Sequence, residues 1–490
     1  MVAASPPGWL GSCALEDEFP LPGNGGMERL CHIQRQAPHT YMEPTFQPSP
    51  AAAREFRPHP TFGEALRFWL KLNFISFGKP TDQIAIMHTE LVERKRWISD
   101  ARFLHALNYC MLLPGPEAQQ LATYCGWLLH RAWGGIAAGT LFVLPSVFIL
   151  WTLSYVYVSY GTVPWIGAIF YGLKPAVMAI VAVATLRIGR KALKNEVMWV
   201  IATAAFVAIF FLKAPFPLII ATAALIGWCG SRWRPDKFKG GGGHGGAKTN
   251  ASAAVIDDEH AAPVHSRPSW TRAAGVLGVC LGLWWAPVVA AGWWQGWDGT
   301  LFHEGLFFSK AAMVTFGGAY AVFPYVAQQA VETHGWLSAP QMLDGLAFAE
   351  TTPGPLIMVL QHVGFMGGWH HPGALSPLAA ASLGALLTTW VTFVPCFLWI
   401  FLGAPHIEQM RGQAAFNAAL SAVTAAVVGV VLNLAVWFGM HVIQPADGHV
   451  DAFAIAVGVA AFVAMQRFKV DLVSVVFAGA ALGLGWHLVR

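Results

Sequence analysis

Charge is scarce in this sequence. Asp, Glu, Lys and Arg together supply 11% of its 490 residues, too few to cover a water-soluble surface and far too few for a nucleic-acid-binding face. The net charge of +4 is small for this length, so no nucleic-acid partner is expected. Cysteine is also sparse. The seven cysteines are scattered and form no Cys-x-x-Cys pair, which excludes a disulfide framework and a thiolate metal centre. The first twenty residues carry Glu16, Asp17 and Glu18 and no basic-then-apolar pattern, so a cleaved leader is not expected. Walker, nucleophile-elbow and zincin sequences are absent, which leaves nucleotide-driven transport and familiar hydrolase chemistry without support. His244, His260, His265 and the pair His370-His371 lack metal-ligand spacing. No cofactor and no metal are expected, and no catalytic residue is assigned.

Apolar sequence fills the space these absences leave. Hydrophobic residues make up 56% of the chain and the mean hydropathy is +0.51, values of an integral membrane protein with the lipid bilayer as its main partner. No sustained period-2 alternation supports a barrel. The expected fold is therefore all-α and polytopic, with about ten to thirteen membrane segments. The expected organisation is a polar tail over 1–60, a first repeat over 61–230, a Gly-rich linker over 231–272 and a second repeat over 273–490. The tail and linker are assigned to the cytoplasm.

The two repeats are visible in the residues. Phe77-Gly78, Trp97 and Pro114-Gly115-Pro116 return as Phe316-Gly317, Trp336 and Pro353-Gly354-Pro355 at a constant offset of 239. Lys71/Lys310, Glu93/Glu332 and Ser99/Ser338 keep the same offset. Between Glu90 and Arg102 stand Arg94, Lys95, Arg96 and Arg102, whereas the equivalent stretch 329–341 has no Lys or Arg. By the positive-inside rule these loops lie on opposite sides, which predicts inverted-topology repeats with a substrate site between them.

Each Pro-Gly-Pro predicts a helix broken within the membrane. Proline removes a backbone donor and pushes the preceding residue out of helical geometry, while glycine permits a sharp turn. A half-helix starting at the second proline would present free N–H groups and a positive dipole end to an anion. A packing kink is the competing reading; duplication of the element favours a site. Candidate substrate-binding residues are Lys71, Gly78, Pro114, Gly115, Pro116, Lys310, Gly317, Gly318, Thr351, Thr352, Pro353, Gly354 and Pro355. Snorkelling of the lysines to the interface, close packing at the glycines and capping by the threonines are the structural alternatives. Lys79, Lys174 and Arg187 are further cations of interest. Glu117, Glu350, Asp82 and Asp344 are candidates for carrying protons.

The segments NFISFGKPTDQIAIMHTELVERKRWIS, LLPGPEAQQLATYCGWLLHRAWGGIAAG and YGLKPAVMAI, followed by TFGGAYAVFPYVAQQAVETHGWLS, DGLAFAETTPGPLIMVLQHVGF and SAVTAAVVG, closely resemble the long, two-domain form of the chromate ion transporter family. That resemblance implies a multi-pass secondary transporter of the bacterial inner membrane that expels chromate, driven by the proton motive force, and confers chromate resistance. Lys79 departs from it, standing where the family commonly has a second glycine. A carrier of sulfate or related tetrahedral oxyanions is the nearest alternative, since the two dianions share charge and shape. A membrane-bound chromate reductase lacks any flavin, haem or nucleotide motif. Assembly as a homodimer is left open by the sequence.

Overall fold

A computed structural model describes residues 59–75, 80–161, 163–238, 255–256, 269–316, 318–405, 414–444 and 449–489. The expected tail falls outside the described residues except for its last two, as does most of the linker. The first half contains α1 (Phe62–Ile75), α2 (Pro80–His88), α3 (Asp100–Cys110), α4 (Glu117–Leu141), α5 (Leu144–Tyr160), α6 (Pro164–Ala192), α7 (Glu196–Phe210), α8 (Phe216–Trp233) and one turn, α9 (Pro235–Phe238). The second contains α10 (Trp270–Gln295), α11 (Thr300–Val314), α12 (Ala319–Ala327), α13 (Ala339–Thr351), α14 (Val359–His370), α15 (Pro377–Gly403), α16 (Ala414–Ile443), α17 (Ala452–Arg467) and α18 (Leu472–Val489). Helices α11 to α18 follow the order of α1 to α8. Even the π-helical turns after α2 and α12, Thr89–Arg94 and Gln328–Thr333, keep the sequence offset. Helix α10 has no counterpart among the described residues.

Local sequence explains several helix ends. Ser99 and Ser338 cap α3 and α13, each accepting the N–H three residues on, and Gln341 completes a reciprocal capping box with Ser338. Asn195 and Asp451 cap α7 and α17 in the same way. Apolar stretches that read as continuous over 132–160 and 304–330 are each interrupted. Pro145, in the first turn of α5, would clash with the carbonyl of Leu141 in an unbroken helix, and α4 ends at Leu141. Gly318 has φ 94°, outside the helical region, and opens α12.

Among the described residues seven helical stretches are long and apolar enough to cross a bilayer, and α7 and α17 are shorter apolar helices. The protein is an all-α, multi-pass membrane protein. Its outer surface fits that solvent: Trp270 stands 92% exposed at one end of α10 and Trp293 78% at the other, the placement of interfacial aromatic belts.

The halves exchange partners. Helix α18 packs along α6, and α8 packs along α16, so each half lays its last helix on the other. The approach is close enough to require glycine. A Cβ on Gly172 would stand 2.1 Å from the Gly479 carbonyl oxygen, and one on Gly227 2.4 Å from that of Ala418. The linker also contributes: Val255 and Ile256 donate their N–H groups to Arg96 and Trp97, and Ile256 accepts from Ser99, each at 3.1 Å. At the equivalent carbonyls of the second half, Gly335 and Trp336, the ring nitrogens of His371 and His370 do the same work at 3.2 and 2.7 Å. We expect Gly172→Ala to destabilise the protein by about 1–3 kcal/mol through overpacking, measured as a lower Tm of the purified protein in detergent.

Candidate functional site

Both Pro-Gly-Pro elements interrupt the helical path. Gly115 has φ 120° and Gly354 φ 110°, a region that side-chain-bearing residues rarely enter. The second prolines precede the new helices rather than joining their first turns. Pro116 is the N-cap of α4, and Pro355 opens a single 3₁₀ turn, Leu356–Met358, that leads into α14.

At each break, backbone groups are bonded by the opposite half. Gly115 donates its N–H to the carbonyl of Thr315, at the end of α11, over 2.8 Å. At the other break, Ser146 of α5 donates to the Pro353 carbonyl at 2.5 Å and Gln83 of α2 to the Gly354 carbonyl at 2.6 Å. A Cβ on Gly354 would lie 1.8 Å from Ser146 Oγ and 3.5 Å from Asn73 Oδ1, and one on Gly115 2.7 Å from Cys396 Sγ of α15. Asn73 donates in turn to the Leu141 carbonyl at 2.8 Å, which occupies the oxygen freed where α4 stops. Each break is thus walled by the helix that ends just before the Phe-Gly pair of the other repeat.

Around the breaks, most buried polar side chains are amides and hydroxyls, with Glu350 the acid among them. Asn73, Gln83, Gln119, Gln120, Ser146 and Gln361 are each at most 1% exposed. Gln120 donates to the Pro114 carbonyl at 2.8 Å and Gln361 to that of Val147 at 2.7 Å. Among the described residues no Lys or Arg is buried. A dianion resting here would meet amides, hydroxyls and helix N-termini, dipoles that stabilise charge without the expense of burying a counter-ion.

The sequence candidates are distributed unevenly about this centre. Lys71 and Lys310 are exposed on α1 and α11. Gly78, Gly317 and Lys79 lie outside the described residues. The Thr351 hydroxyl donates to the Ala347 carbonyl at 2.9 Å and that of Thr352 to Ala349 at 3.5 Å, both within their own helix. Glu117 is half-buried at the start of α4, and Asp82 is exposed in the first turn of α2. Glu350 is buried and accepts a hydrogen bond from the Tyr320 hydroxyl. Two candidates meet: Lys174 Nζ of α6 lies 3.9 Å from Asp344 Oδ2 of α13, which also accepts from Tyr157 at 2.9 Å. His362, bonded to Ser154 at 2.8 Å, adjoins the same Tyr157 ring. This second polar cluster again joins α5 and α6 of one half to α13 and α14 of the other.

Comparison with known proteins matches the description "Chromate transporter" over residues 63–228 and 303–484, the two halves just described. The chain belongs to the chromate transporter family. It is 28% identical to the chromate transport protein of Cupriavidus metallidurans, covering 89% of this chain and 96% of that one. It is also 28% identical to the chromate transport protein of Pseudomonas aeruginosa, with 90% and 97% covered. A protein of Methanocaldococcus jannaschii named as an uncharacterized transporter is 23% identical over 88% and 95%. No solved structure matches the chain.

In this chromate transporter family member the buried amides escaped sequence reasoning, which searched for charge. One signal was present: Gln119 and Gln120 lie in the first turn after the first Pro-Gly-Pro, and glutamine is rarely buried without a bonding task. Ser146→Ala would leave the Pro353 carbonyl without its donor. We expect a loss of about 1–3 kcal/mol, read as a lower Tm together with reduced transport. Thr152→Ala, on an exposed hydroxyl that bonds only within α5, should change neither.

Proposed function

We propose that this protein exports chromate from the cytoplasm across the bacterial inner membrane, driven by the proton motive force, and thereby confers chromate resistance. The observation that carries the reading is the reciprocal bonding of the two Pro-Gly-Pro breaks, in a family whose curated members include proteins named for chromate transport. The dianion binds between the breaks, on backbone N–H groups that follow Pro116 and Pro355 and on the amides beside them. The repeats run in opposite directions through the bilayer, so rocking one half against the other turns the site from the cytoplasm to the far side. Lys71 and Lys310, being exposed, draw the anion toward the entrances and do not hold it. Glu117, Glu350 and Asp344, the last beside Lys174, are the carboxylates through which protons are coupled, and Asp82 is the exposed one that exchanges with water.

A second reading, a broader carrier of tetrahedral oxyanions that includes sulfate, is favoured by the amides around the breaks and by the lack of a buried Lys or Arg among the described residues. Dipoles recognise charge and shape, which the two dianions share.

Everted membrane vesicles that contain the inserted protein decide between these. We expect chromate uptake above control vesicles, abolished by a protonophore and resistant to excess sulfate. Equal competition by sulfate would establish the broader carrier, and no uptake above control would refute transport. Lys71→Ala and Lys310→Ala should raise the chromate concentration needed for half-maximal uptake more than they lower the maximal rate.

A further inference from the structure

One buried acid stands apart from every cluster above. Glu304, in α11, is 0% exposed, and neither carboxyl oxygen has a hydrogen-bond partner among the described residues. Its room is made by missing side chains. A Cβ on Gly367 of α14 would lie 2.3 Å from Oε1, and one on Gly384 of α15 2.7 Å from Oε2. The Gly364 carbonyl oxygen is 2.4 Å from that same point on Gly384, and the Trp336 indole is 3.1 Å from the one on Gly367. The carboxyl is thus sealed between two helices and a tryptophan.

The titratable groups on the surrounding elements are engaged elsewhere. On its own helix His303 sets its ring against His334, and Lys310 is exposed. On α14, His362 bonds Ser154 and His370 bonds the Trp336 carbonyl. On α12, Tyr320 bonds Glu350. On α15, Cys396 lies beside Gly115; on α10, Cys280 is buried, and Arg272 stands in the first turn, about four turns from Val288, the residue that meets Gly305. An ionised carboxylate removed from water with no partner costs several kcal/mol or more, so such a group takes a proton instead.

A purely structural role has a cheaper solution, and the first repeat uses it: the residue 239 positions earlier is Ala65, also buried. The acid is therefore not required by the position α11 shares with α1, and ionisable groups retained in such surroundings serve proton pathways. We propose that Glu304 is a proton-carrying residue of the transport cycle, held as the neutral acid in the conformation described. When α11 moves against α14 and α15 and water enters, the O–H bond breaks and the proton passes to water. The carboxylate then takes a proton from the other side and is sealed again. This rests on the proton coupling proposed above.

Two measurements on the purified full-length protein test it. Infrared difference spectra across pH are expected to show a protonated-carboxyl carbonyl band in the wild type that disappears in Glu304→Gln. In proteoliposomes, chromate accumulation driven by a pH gradient should fall about tenfold or more in the same variant, and chromate exchange should lose its dependence on pH. Gly367→Ala, whose methyl group would press on Oε1, should shift the infrared band and gives a second readout if Glu304→Gln does not fold. A band unchanged in both variants, or accumulation in Glu304→Gln with the wild-type response to the gradient, would overturn the proposal. Wild-type protein that moves no chromate would refute the proposed function instead, and the infrared result would still decide whether Glu304 holds a proton.

Discussion

Hydrocarbon offers no hydrogen bonds, so a helix interrupted inside a membrane protein must find partners for every backbone group it frees. In this protein some of the groups freed in each half are bonded by the other. The Gly115 N–H reaches Thr315, and the Pro353 and Gly354 carbonyls are taken by Ser146 and Gln83. Neither break is complete in its own repeat. That dependence makes the interlocking of the halves necessary, because helices that must supply bonds across the duplication cannot pack only within their own repeat. The close glycine contacts of α6 with α18 and of α8 with α16 are the long-helix expression of the same exchange.

The electrostatics follow from the same solvent. A fixed cation beside a membrane-buried dianion site would have to be desolvated during every empty return, whereas amides and hydroxyls remain bonded to protein when no anion is present. The surroundings of the breaks accordingly hold buried Asn73, Gln83, Gln119 and Gln120, and no Lys or Arg is buried among the described residues. The buried acids are treated in two ways. Asp344 has Lys174 and Tyr157 close by and Glu350 accepts from Tyr320, while Glu304 has only helix backbone, glycine and an indole. In the proposed cycle these are different tasks, one group paired within the fold and the other waiting to exchange its proton.

Duplication is kept where geometry demands it and relaxed where it does not. The π turns, the serine caps and the positive-φ glycines of the breaks occur in both halves. The carbonyls after the π turns also need partners in both, yet the means differ: backbone from the linker at Arg96 and Trp97, imidazoles at Gly335 and Trp336. The bond is what is duplicated, not the residue supplying it. His370 and His371, unremarkable as metal ligands, have this work instead.

Much of the architecture is legible in the chain. Apolar composition and scarce charge determine an all-α membrane protein, because only internally bonded backbone survives in lipid. The constant offset of the Phe-Gly, Trp and Pro-Gly-Pro elements determines the duplication, and proline and glycine stereochemistry determines where helices break. Periodicity did not separate α11 from α12 or α4 from α5, since apolar residues continue through both interruptions; Gly318 and Pro145 mark them only through backbone geometry. The pairing of Lys174 with Asp344, the donors that serve the breaks and the isolation of Glu304 have no local signature. Each joins residues distant in the chain, and an amide or a carboxyl reads alike in sequence whether it is bonded, solvated or sealed from water. Only tertiary packing decides which, because the free energy of a polar group is set by the partners that surround it.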